Sequence, residues 1–167
     1  MRYRLMQTNN DKVLTLIRLA LGIMIVSHGA QKLFGWFGGF GLEGTLGYFA
    51  SIGVPAAAAW LVIAAEFLGG LGLITGLLGR VAAAGVAAVM AGAMFLGGHI
   101  NNGFFMNWTG GQSGEGWEFF LLATTMAVAI AVRGSGALSL DRALTASSRN
   151  RAQPLTIAEK DELRRAA

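Results

Sequence analysis

The sequence predicts an all-α, polytopic membrane protein: a four-helix transmembrane bundle with a short interfacial helix in its first outer loop. Three observations carry this. The 167 residues are 54% hydrophobic and only 13% charged, against roughly 25% charged in soluble domains, so too little polar surface remains to cover a water-soluble core. The apolar residues fall into four stretches near the about 20 residues that cross roughly 30 Å of hydrocarbon. Lysine and arginine flank those stretches on one side only. The 25 glycines, interleaved with Ala, Leu, Val, Met and Phe, fit helices packed in lipid.

The first span runs from Val13 to Phe34, opened by Asp11 and Lys12 and closed by Gly35. Arg18, His28 and Lys32 interrupt it, so it reads as a span and not as a cleaved signal peptide. The second runs from Pro55, a residue suited to a helix start, to Leu78. The third, Val81 to Ile100, follows so closely that Gly79-Arg80 must turn a tight antiparallel hairpin. The fourth, about 117–133 with Arg133 as its basic flank, barely spans at 1.5 Å per residue. Residues 1–140 thus form one four-span unit and 141–167 a polar cytoplasmic tail, where Thr156-x-x-Glu159 reads as a capping box.

Arg2, Arg4 and Lys12 precede the first span, Arg80 separates the second and third, and a basic run from Arg133 to Arg165 follows the fourth. The loops 35–54 and 101–116 contain neither Lys nor Arg. Positive-inside reasoning puts both termini in the cytoplasm of a bacterial-type inner membrane and both long loops outside. In the first loop, Leu42, Leu46, Phe49 and Ile52 recur at helical spacing, with Glu43, Thr45 and Ser51 elsewhere, as in a helix lying in the interface. Trp36, Phe37, Phe40 and Tyr48 form an aromatic belt there. Small residues at Gly72-x-x-x-Gly76 and Ala84-x-x-x-Ala88-x-x-x-Gly92 allow close packing, within one chain or between copies.

Ionisable groups inside spans cost about 2.5–3.5 kcal/mol each at the centre on insertion scales and so call for partners. Arg18 and Glu66, on adjacent helices, are expected to pair. Arg18, Ile25 and Lys32 share a face of the first helix with Gly22 and Gly29. His28, Lys32, His99, Glu115 and Glu118 converge by topology on one outer mouth. Singly, each has a plainer use: Lys32 and Glu118 can snorkel to water, and either histidine can end a helix. Together they read as a polar pocket between helices.

Arg18-x-x-x-Gly22, His28-Gly29-x-x-Lys32-Leu33, Gly53-x-Pro55, Glu66-x-x-Gly69-Gly70 and Asn102-Gly103-Phe104-Phe105 occur in that order. Gly114-x-x-Trp117-Glu118 and Gly134-Ser135-Gly136-Ala137-Leu138-Ser139-Leu140-Asp141 follow. Over roughly Leu16 to Leu144 the chain resembles the DoxX (DoxD-like) membrane proteins. The resemblance implies a small inner-membrane subunit linked to quinone-coupled oxidation, as in a thiosulfate:quinone oxidoreductase subunit, working with a redox partner protein.

On that reading His28, Lys32, His99 and Glu118 are the candidate proton-handling residues. Arg18, Glu66, Trp36, Phe104, Phe105 and Trp108 are the candidate ligand contacts. Electrons must come from elsewhere, since the glycine runs follow no strand and form no nucleotide fingerprint. Haem held between His28 and His99 is a lesser alternative to quinone. A homo-oligomeric transporter or channel and a non-catalytic scaffold are the competing classes. No metal set of three ligands shares one span. The basic tail is explained by topology and anionic lipid, so nucleic acid is not an expected partner.

Overall fold

The computed structural model describes residues 5–151 and residue 165, so the Thr156–Glu159 capping box lies outside the described residues. Six α-helices are present and no strand occurs among the described residues. They are α1 (Lys12–Phe34), α2 (Gly41–Ser51), α3 (Ala56–Thr75), α4 (Gly79–Leu96), α5 (Glu118–Arg133) and α6 (Leu140–Arg151). Short 3-10 turns at Trp36–Gly38 and His99–Asn102 follow α1 and α4. With 23, 20 and 18 residues, α1, α3 and α4 are long and apolar enough to cross a membrane. The 16 residues of α5 reach about 24 Å, short of the hydrocarbon thickness.

Local chemistry sets the boundaries. Asp11 caps α1, its side chain accepting from Leu14 N at 3.0 Å, and Gly35 ends it in the left-handed region at φ 73°. α3 ends the same way at Gly76, and α4 begins at Gly79. The expected hairpin is therefore a turn of three residues, 76–78, with Leu78 also at positive φ.

α1 packs against α3, α3 against α4, α4 against α5, and α5 returns to α1. Leu14, Leu21, Ile25, Leu73, Val86, Met90 and Ile130 form the buried apolar cluster between them. Glycine fixes the α1–α3 register. A Cβ on Gly29 would lie 2.5 Å from Phe67 N, one on Gly70 2.6 Å from Val26 N, and one on Gly22 2.9 Å from Ile74 N. All three contacts are closer than a methyl group tolerates, so the backbones touch only because these positions lack one. The stripe on α4 does not serve this purpose: Ala84 and Ala88 are exposed, and nothing lies within 4 Å of a Cβ placed on Gly92.

That register overturns one expectation. Antiparallel packing places Gly29 level with Glu66 and Phe67, and Gly22 level with Leu73 and Ile74. Glu66 therefore faces the Lys32 end of α1, and Arg18 lies beyond the end of α3, about 3.1 Å from where a Gly76 Cβ would sit. Arg18 and Glu66 do not pair.

Arg18 instead ties the helix ends together while only 1% exposed. Its Nε donates to Ser135 O at 2.7 Å, Nη1 to Leu73 O and to Ile74 O at 2.8 Å, and Nη2 to Leu138 O at 2.5 Å. Asp141, also 1% exposed, accepts from Leu78 N at 2.8 Å, Gly79 N at 3.0 Å and Ser135 Oγ at 2.6 Å. A cation thus meets the carbonyl end of α3 and an anion the N–H end of α4, the signs that helix dipoles favour. Thr15 Oγ1 accepts from Ala137 N at 2.8 Å, closing the segment onto α1. The chain expected to leave the body as a polar tail is held against it at Asp141.

Candidate functional site

At the opposite end of α1, Lys32 Nζ lies 2.6 Å from Glu66 Oε2. Glu66 is 3% exposed, whereas Lys32 is half-buried. The register explains the meeting: Lys32 is three residues beyond Gly29, and Gly29 abuts the backbone of Glu66. His28, half-buried on the same helix, has Lys32, Glu66 and Gln31 as its polar neighbours. Its ring stands edge-on to Phe119 of α5, with centroids 5.4 Å apart.

α2 covers this cluster. Its one buried residue is Thr45, whose Oγ1 donates to Lys32 O at 3.2 Å. The sequence pattern puts Thr45 off the apolar stripe, yet Thr45 faces the protein because it satisfies a carbonyl at the end of α1. Between α2 and α1 lies a pocket of about 250 Å³ lined by Gln31, Lys32, Phe40, Thr45, Tyr48 and Phe49, with Gly38 and Gly39 at its edge. Phe40, Tyr48 and Phe49 thus line the space beside Lys32, a role beyond the belt and stripe positions that spacing gives them.

The other candidates sit in a separate network. His99 Nδ1 donates to Glu115 O at 2.9 Å, and its ring packs on Phe120 at 4.4 Å. Glu118 Oε2 accepts from Met106 N at 3.3 Å, and Glu115 Oε2 from Asn107 N at 2.7 Å. Asn107 also exchanges hydrogen bonds with the Gln112 backbone. These amides and carboxylates fold the 101–117 loop on itself. Among the described residues, the rings of Phe119 and Phe120, 5.4 Å apart, link His99 to His28. The single mouth expected from topology is two clusters joined by phenyl rings.

The aromatic candidates divide in the same way. Trp36 packs on Phe34 at 5.0 Å, and Phe104 on Phe105 and Trp117 at 5.2 and 4.7 Å. Trp108 is 87% exposed. None of these four is among the residues lining the pocket beside Lys32.

An α-helical chain with three helices able to cross a membrane and a buried ion pair between two of them is a membrane protein. The family model described as DoxX matches residues 13–99, just over half of the chain, and the chain belongs to the DoxX family. A Bacillus subtilis (strain 168) protein named "Putative oxidoreductase CatD" is 34% identical over 79 residues, which are 47% of this chain and 54% of that protein. The match therefore spans about half the length of that relative. No solved structure matches the chain.

Proposed function

We propose that this chain is the four-span membrane subunit of a quinone-linked oxidoreductase, binding quinone or quinol at the His28–Lys32–Glu66 cluster and working with a redox partner protein. The observation that carries the reading is the Lys32–Glu66 ion pair, buried on the carboxylate side, whose lysine is also one of the residues lining an aromatic-walled pocket. A quinone takes up two electrons and two protons on becoming a quinol. Lys32 presents an ammonium that donates to a carbonyl oxygen, and Glu66 holds that ammonium in place. His28 adds a second group able to hold or release a proton. The oxidoreductase name of the Bacillus subtilis relative is consistent with this class.

The four long helices are read as a transmembrane bundle and α2 as an interfacial helix over the outer end of α1. Loops 35–54 and 101–116 lack Lys and Arg, which supports cytoplasmic termini in a bacterial inner membrane. Glu118 and His99 are left out of the proton path, because both bind loop backbone. Haem is not carried forward: His28, Phe119, Phe120 and His99 form a packed row of rings where a macrocycle would have to lie.

Organic extraction of protein purified in mild detergent tests the proposal. The expected result is quinone in the extract and binding of added short-chain benzoquinone that Lys32→Met weakens at least tenfold. An empty extract with no such binding contradicts it. Vesicle flux that Glu66→Gln abolishes, without bound quinone, would assign transport by an oligomer instead. A partner enzyme that co-purifies and works equally well with His28→Ala and Lys32→Met would assign a scaffold.

A further inference from the structure

Resting on the quinone reading, we propose that the pocket beneath α2 is the ring subsite, built for a single planar ring with a carbonyl or phenolate oxygen directed at Lys32 Nζ, its tail lying outside. Size is the first reason. At about 250 Å³, the pocket exceeds the roughly 150 Å³ that takes up benzene and falls below the about 300–1,000 Å³ of sites enclosing whole drug-sized ligands. One substituted ring fits, and a single ring is the occupant this volume favours.

Chemistry is the second. Phe40, Tyr48 and Phe49 offer apolar ring faces and edges, with the Tyr48 and Phe49 centroids 5.9 Å apart. Lys32 and Gln31 line the α1 side, and both side chains carry N–H donors. Glu66 Oε2 pairs with the Lys32 ammonium at 2.6 Å, and an ammonium carries three donors, so Lys32 can donate to a ligand oxygen without breaking the ion pair.

The walls are held in place, which is the third reason. Thr45 anchors α2 to the carbonyl of Lys32. A Cβ on Gly39 would lie 2.5 Å from Gln31 Cα, so the turn after α1 lies directly against the helix. The rim residue Phe40 is 84% exposed, and an apolar tail can leave past it along the outer surface of α2.

Equilibrium binding to the full-length protein in nanodiscs distinguishes this from the quinone reading. Three probes are used: a short-chain benzoquinone, its naphthoquinone counterpart and redox-inert 4-nitrophenolate. The expected result is competition between benzoquinone and nitrophenolate, with naphthoquinone at least fivefold weaker. Tyr48→Ala and Phe49→Ala each weaken benzoquinone about fivefold or more, Lys32→Met tenfold, and Trp108→Ala less than twofold. The two aromatic variants keep the test open should Lys32→Met fail to fold. Benzoquinone binding indifferent to all three pocket substitutions overturns the subsite and leaves the quinone reading standing. Lys32-dependent nitrophenolate binding without quinone binding keeps a ring site and overturns the quinone reading. Naphthoquinone binding as tightly as benzoquinone overturns the one-ring preference.

Discussion

The two ends of α1 each bury a charged residue and use it differently. At the Arg18 end the guanidinium meets four carbonyls and Asp141 meets three donors, from segments far apart in sequence. At the Lys32 end the buried carboxylate has one ion-pair partner among the described residues, with His28 as a further polar neighbour, and that ion-pair partner also lines a pocket. A buried charge whose bonds are all taken by backbone has nothing left with which to bind a ligand, and serves as a lock. A buried charge with a single ion-pair partner, next to open space, retains bonding capacity and is the better candidate for chemistry.

The contrast is broken first at the lock, where the effects are largest. Arg18→Gln removes donors from four carbonyls and leaves Asp141 without its electrostatic partner. Losing one member of such a buried network costs about 3–5 kcal/mol. Thermal denaturation in detergent is expected to show most of the protein unfolded or markedly destabilised, and Arg18→Lys does not rescue it, because a point charge cannot replace a planar fork.

Asp141→Asn comes next. An amide keeps one acceptor for Leu78 N or Gly79 N and Ser135 Oγ, so about 1.5–3 kcal/mol is lost for a charge-assisted bond. Its melting temperature is expected to fall between those of Arg18→Gln and the unaltered protein. Ligand binding at the far end stays unchanged.

Thr45→Val removes the bond from α2 to Lys32 O and costs about 1 kcal/mol. Hydrogen exchange is expected to rise in α2 but not in α1, and an unchanged α2 contradicts the anchoring role. Smallest of all is Trp108→Ala. Its side chain is almost fully exposed, and surface changes usually stay within about 0.5 kcal/mol. Its melting curve is expected to overlay that of the parent.

The elements were legible because apolar run length and flanking charge are local properties. α1 starts one residue before the span read from sequence, and α5 also starts within one residue of it. α3 and α4 end earlier, because the chain turns left-handed at Gly76 and Gly98 before the apolar run is exhausted. Pairing across helices was not legible from depth alone. The Arg18–Glu66 expectation rested on adjacent helices and the reach of an arginine side chain, whereas register is set where Gly22, Gly29 and Gly70 let two backbones touch. Matching those glycines across the two spans would have put Glu66 opposite Lys32.

The Asp141 lock was hidden for a related reason: a Gly-Ser-Gly run followed by a charged helix has the composition of a solvated tail. Only the unpaired N–H groups at the start of α4 gave Asp141 a use inside the protein. The loop carboxylates illustrate the reverse. Glu115 and Glu118 sit where topology predicts a mouth, but nearby backbone amides engage both.

The most direct measurement takes the double variant Lys32→Met/Glu66→Gln through a melt and a benzoquinone titration on the same preparation. Removing both charges together leaves no unpaired ion, so folding changes little. The expected result is a melting temperature close to that of the parent together with loss of quinone binding. A double variant that still binds quinone, or one that unfolds as Arg18→Gln does, contradicts the division of labour between the two ends.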